Sequence, residues 1–146
     1  MLLGQFGDWG AYKADPNGKQ VCFALSKPTK SVTNPPGRSR DPAYAFVSTR
    51  PAEKVKNEVS IIVGYPQKAG FEATATIDGS AKYTLYTQDA GAWVKNAAEE
   101  SQMVKALRKG GELVVESESS RGTKSTDTYS LKGIAEALDK VAAECK

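Results

Sequence analysis

Glu116 and Glu118 stand two residues apart in the run Glu112 to Ser119, ELVVESES. In a strand, positions i and i+2 share a face, and a carboxylate pair is the machinery of glycoside hydrolysis. Neighbours two apart on an exposed strand are ordinarily a solvated face, so the pair alone names no enzyme. The hydroxyls read the same way. Ser26 with Lys27, Ser31 with Lys30 and Ser130 with Lys132 could form Ser-Lys pairs, but none stands in a nucleophile motif. Histidine is absent from the 146 residues, which removes Ser-His and Cys-His catalysis and any imidazole-ligated metal. Gly110-Gly111 follows a helical pattern instead of opening one, unlike a phosphate-binding loop. Asp78 and Asp89 have turn roles. The expectation is a chain with no catalytic residue, no metal site and no cofactor.

Binding is the chemistry that remains. Pro28 to Pro42, PTKSVTNPPGRSRDP, holds four of the seven prolines and reads as one long loop. Long loops are often functional. Arg38, Arg40 and the following Tyr44 are the candidate partner-binding residues, because Arg and Tyr are enriched at interface hot spots; the alternative is a hairpin connection with no partner. The aromatics Tyr44, Phe46, Tyr83, Tyr86 and Trp93 fall in strand patterns and read as core. Nucleic-acid binding, which needs exposed aromatics among clustered cations, is therefore not expected. The formal charge is +3, unevenly placed: residues 1–73 carry ten Lys/Arg against six Asp/Glu, and residues 74–146 carry ten against eleven. This is either a basic face for an acidic partner or scattered solvated lysines.

The elements that would position these residues are mostly strands. Gln5 to Ala14 reads as an irregular opening strand, since Gly4, Gly7 and Gly10 argue against a helix. Asp15-Pro16-Asn17-Gly18 is a turn. Lys19 to Ser26 alternates, with Val21, Phe23 and Leu25 on one face and Cys22 and Ala24 on the other. Strands follow at Ala43 to Thr49, Glu58 to Tyr65 and Phe71 to Ile77. Asp78-Gly79 is a hairpin signal leading to Lys82 to Thr87, and Ala92 to Val94 is a short strand. Ala97 to Lys109 has a helical stripe, with Glu99 and Glu100 in the first turn and Lys105, Arg108 and Lys109 in the last, both suited to the helix dipole. Glu112 to Ser119 and Ser125 to Leu131 are strands. After Gly133, Ile134, Ala135, Leu138, Val141, Ala142 and Cys145 form the apolar stripe of a closing helix, with Cys145 on its buried side.

Nine short strands with turn signals between them and two helices predict a mainly β chain, a single-domain β-sandwich over residues 1–146, with one helix at the C-terminus. The length suits one domain. No apolar run approaches the ~20 residues of a membrane-spanning helix. Met1 to Gly4 is too short for a signal peptide and reads either as a true start or as one that replaced a removed signal. The two cysteines are either two buried thiols or one disulfide closing nearly the whole chain.

Three segments resemble the invasion-associated locus B family, small exported proteins of Gram-negative bacteria. They are Phe6-Gly7-Asp8-Trp9, then Val21-Cys22 with the run to Lys27-Pro28, and Asp127-Thr128-Tyr129-Ser130-Leu131-Lys132-Gly133 leading into a helix that ends at Cys145. The resemblance implies a β-rich, exported, non-enzymatic protein of the periplasm, outer membrane or medium. Its role would lie in virulence, assisting invasion of host cells such as erythrocytes by binding a protein or a host or bacterial surface. It also implies a Cys22–Cys145 disulfide, which suits an oxidising compartment. The alternatives are a cell-envelope enzyme acting on wall or surface polymers, which a carboxylate-lined cleft at Glu116 and Glu118 would favour, and a periplasmic small-molecule carrier, which would need a large apolar cavity.

Overall fold

A computed structural model describes residues 1–37 and 40–145; Arg38 lies outside the described residues. Eleven antiparallel strands form one hydrogen-bonded sheet: β1 Leu2–Phe6, β2 Trp9–Ala14, β3 Val21–Ser26, β4 Lys30–Asn34, β5 Tyr44–Arg50, β6 Val55–Ile62, β7 Glu72–Ile77, β8 Ala81–Gln88, β9 Gly91–Val94, β10 Glu112–Glu118 and β11 Lys124–Ser130. The spatial order is β1-β2-β3-β5-β6-β9-β8-β7-β10-β11-β4. Helix α1 spans Ala97–Lys109 and α2 spans Ile134–Glu144. The expected architecture holds: mainly β, with two helices, one of them C-terminal, and a disulfide. The two layers of the expected sandwich are halves of one continuous sheet that coils over a shared core.

Contacts between strands far apart in that order fasten the coil. The Trp9 indole on β2 donates to Ser130 O on β11 at 2.8 Å, and Asp8 N donates to Lys132 O at 2.9 Å. Ser26 Oγ donates to Asp8 O at 2.7 Å. Gly133, at φ 90°, lies against the Phe6 carbonyl so closely that a Cβ would sit 1.8 Å from its oxygen. All three segments that carry the family resemblance thus meet at one knot of packing and hydrogen bonds. Their residue types answer to close approach and burial.

Two strands exceed the sequence expectation. The opening segment turns at Gly7 (φ 59°) and Asp8, so it is a hairpin, β1 and β2, and not one strand. Within the expected loop, Lys30–Asn34 pairs with β11 as an edge strand. Its charged and hydroxylated residues, with one exposed apolar side chain at Val32, carry little hydrophobic alternation to read, which is usual at a protected edge.

Helix α2 packs on β1, β2 and β3, and α1 packs on β6, β8, β9 and α2. Both helices face the core through Met103, Val104 and Leu107 and through Ile134, Ala137, Leu138 and Val141. Cys145, one residue past α2, is bonded to Cys22 on the core face of β3 across 123 residues of sequence. Among the described residues no helix is long and apolar enough to cross a membrane.

α1 begins at Asn96, whose side chain accepts from Glu99 N at 2.8 Å, an N-cap bond. Glu100, in the same first turn, accepts from Val59 N at 2.9 Å, where β6 runs past the end of β9. Burial, with help from Glu58, holds this carboxyl above its ordinary value of 4.5 despite that hydrogen bond. Between 4.5 and the raised value the folded state holds more protons than the unfolded state, so stability falls as pH rises through that window. Glu100→Gln, which still accepts from Val59, is expected to flatten this slope. Urea midpoints from pH 4 to 7 check it, and an unchanged slope would contradict the assignment.

Candidate functional site: an outward-facing aromatic band

On the strands that begin the sheet, size is distributed the opposite way from an ordinary core. The inward positions are small: Ala11 on β2, Cys22 and Ala24 on β3, and Ala45 on β5, all buried. The outward positions are large: Tyr12, Phe23, Leu25, Tyr44 and Phe46, each only half-buried. The small inward residues let α2 lie close on the sheet. The phase of the alternation then sends their bulky neighbours to the outside.

The strand register joins these outward residues into a band. Leu25 lies opposite Phe46, Phe46 opposite Ser60, Ser60 opposite Trp93 and Trp93 opposite Tyr86, so one row crosses β3, β5, β6, β9 and β8. Tyr12 opposite Phe23 flanks this row on one side, and Tyr44 opposite Ile62 flanks it on the other. The rings touch along the band. Tyr12 and Phe23 are offset-stacked at 5.3 Å, Phe23 meets Phe46 edge-on at 5.9 Å, Tyr44 lies 6.0 Å from Phe46, and Tyr86 lies 5.7 Å from Trp93. Tyr86 is 46% exposed.

Two rings lie down over glycines. A Cβ on Gly91 would come within 2.4 Å of the Trp93 indole, and one on Gly10 within 2.8 Å of the Tyr12 ring. Glycine at these positions leaves room for each ring to lie along the backbone two residues before it.

Charges at the border are largely paired with one another. Arg50 binds Glu53 and Glu58, and Glu58 is the main cause of its raised pKa. Lys95 binds Glu72. Lys27 instead places its ammonium 5.9 Å from the centre of the Tyr44 ring, a cation–π contact.

Of the residues singled out in the sequence, Tyr44 belongs to this band and Arg40 does not. The Arg40 guanidinium turns inward, where it meets both carboxylate oxygens of Asp127 at 2.9 Å, donates to Val63 O and stacks on the Tyr65 ring at 5.1 Å. Its side chain is 12% exposed, and that of Asp127 is 0% exposed. Beside it is an open depression of about 480 Å³, walled by Thr33, Tyr65, Pro66, Ser119 and Arg121. The next inward residue of β11, Tyr129, is also buried; burial first, and Asp127 second, raise the pKa of its phenol, which stays protonated.

Glu116 and Glu118 line a shallow groove of about 450 Å³ with Thr74, Lys82 and Lys124. Glu118 pairs with Lys68 at 3.4 Å. The two carboxylates stand side by side on one strand and do not face each other across the groove.

Of the aromatics that read as core, Tyr83 packs against it, while Tyr44, Phe46, Tyr86 and Trp93 face outward and form the band. The signal that could have found it was the pairing of Cys22 with the buried face of the closing helix. That pairing puts the even-numbered residues of β3 inside and therefore Phe23 outside.

Residues 12–142 match the family described as invasion associated locus B (IalB) protein. The crystal structure of invasion associated protein b from Bartonella henselae superposes with a TM-score of 0.62 at 16% identity, over 99% of this chain and 96% of that one. At that identity it shows a shared fold. No curated protein sequence matches the chain.

Proposed function

Starting from the fact that this chain belongs to the invasion-associated locus B family, we propose that it is an exported, non-enzymatic factor that assists invasion by docking its aromatic band on a surface partner. One observation carries this reading: large aromatic side chains lie outside while alanines lie inside. Fully burying a Phe or Leu side chain stabilises a fold by about 1.5–3 kcal/mol, so partly exposed rings along five strands forgo some of the stability that burial would have given. Contiguous exposed apolar surface of this kind marks interaction sites. The Cys22–Cys145 disulfide supports an oxidising, extracytoplasmic location.

The enzyme alternative has the groove at Glu116 and Glu118 in its favour. Against it, Glu118 is engaged by Lys68, and carboxylates abreast on one strand do not flank a bond held between them. The carrier alternative needs an enclosed apolar cavity. Both depressions described above are open and have charged walls.

The test is capture of partners from bacterial envelope extract and from erythrocyte membranes by the oxidised protein. Tyr86→Thr with Trp93→Thr keeps β-forming residues on the strands and removes the exposed end of the band. It is expected to abolish most capture while leaving a cooperative unfolding transition. Equal capture by both proteins would refute the band as the binding surface.

A further inference from the structure

We infer that the occupant of the band is a carbohydrate, an extended chain of flat-faced pyranose rings running across the strands. This deepens the reading of the band as the binding surface and rests on it.

The Trp93 and Tyr12 rings lie over Gly91 and Gly10, on the outward face of the sheet and partly exposed. A pyranose ring presents a flat patch of C–H groups on one face and hydroxyls around its edge. The patch packs on an aromatic face, and the hydroxyls need hydrogen-bonding partners at the sides. The band supplies both. The phenols of Tyr12, Tyr44 and Tyr86 are amphipathic, with an apolar body and a polar tip, and Ser60 interrupts the aromatic row at its middle.

Dimensions point the same way. Strands lie about 4.8 Å apart, so β2 to β8 spans ~24 Å; three rows two residues apart add ~14 Å of width, for a band of ~340 Å². A standard protein–protein interface takes about 800 Å² from each partner, more than twice that. A narrow strip longer than it is wide fits a linear polymer better than a folded protein or a second copy of this chain.

Charge narrows the chemistry further. Arg50 and Lys95 are already neutralised by Glu58 and Glu72. Docking on an anionic membrane or an acidic protein would use a rim of uncompensated cations. Here Arg50 and Lys95 have carboxylate partners and Lys27 rests against the Tyr44 ring. A mainly uncharged chain matches that border.

The experiment titrates the oxidised protein with chitohexaose, cellohexaose and maltohexaose, and separately with phosphatidylglycerol vesicles, by calorimetry and tryptophan emission. Trp9 is 1% exposed, so an emission change on adding a sugar reports Trp93. An extended β-linked hexasaccharide is expected to bind, to shift that emission, and to lose affinity about tenfold in Tyr44→Thr and in Tyr86→Thr. Its disaccharide should bind more weakly, because it covers less of the band. No binding by any of the three oligosaccharides overturns the inference, as does binding that both variants leave unchanged. Vesicle binding without oligosaccharide binding also overturns it, in favour of a lipid surface. If membrane capture depends on Trp93 and Tyr86 while the oligosaccharides fail, only the carbohydrate identity falls. If capture ignores those residues, the reading of the band falls as well.

Discussion

Replacing Cys145 with serine is expected to lower the melting temperature by roughly 10–20 °C. The bridge closes a loop of 123 residues, for which loop-closure entropy gives about 5 kcal/mol; a chain of this size shifts by about 2–4 °C per kcal/mol. The position of the bond makes the expectation specific. α2 is the last described helix, and Cys145 ties its end to the core face of β3. Without the bond, α2 is held by its apolar face and by contacts such as Gln20 Nε2 to Glu144 O at 3.1 Å. Cys22 remains as a small buried thiol, which adds little further penalty. A reductant should shift the wild type by a similar amount and leave the variant where it is. Equal melting temperatures for the oxidised wild type and the variant would mean that the clip does not hold the fold.

Arg40→Ala is expected to destabilise the protein by about 3–5 kcal/mol. The reason is what it leaves behind. Asp127 is fully buried, both of its oxygens are met by Arg40, and alanine would strand a carboxylate in the core. The same substitution frees Val63 O and removes the cover from Tyr65. Arg40→Met combined with Asp127→Leu should recover most of the loss, since replacing a buried pair by apolar residues of similar volume is often near neutral. Urea midpoints of the single and double variants give the comparison. A single variant within about 1 kcal/mol of wild type would show that the pair is as weak as an exposed one. Arg40 read as a surface contact in the sequence because a Pro-, Gly- and Ser-rich setting looks exposed. Nothing local announces that Asp127, 87 residues away, waits for it.

This contrast recurs through the molecule. Elements with a strong local signature were legible. Helix α1 came with its charges sorted to the correct ends, and the Asp78-Gly79 turn is formed by two positive-φ residues, at 52° and 70°. Elements defined by a distant partner were not. β4 is a strand because β11 needs a neighbour, and its own residues show little alternation. The aromatic band was misread for the same reason. Alternation in β3 separates two faces but does not say which is inward, and residue type alone reads Tyr44, Phe46, Tyr86 and Trp93 as core. The core took the alanines and the cysteine, because a helix had to lie close against them. Tyr44 was singled out for its neighbourhood with the loop arginines, yet its place in the band comes from Phe46, Ile62 and Lys27.

The measurement that tests the account most directly is hydroxyl-radical footprinting of the oxidised protein, read by mass spectrometry, with and without saturating erythrocyte membranes or bacterial envelope. It asks which surface is covered without assuming what covers it. Protection is predicted at Tyr86, Trp93, Tyr44 and Phe46, with Tyr65 beside the Arg40 depression and the exposed Met1 as reactive as before. Protection at Tyr65 with the band left reactive would contradict the account and move the binding surface to that depression.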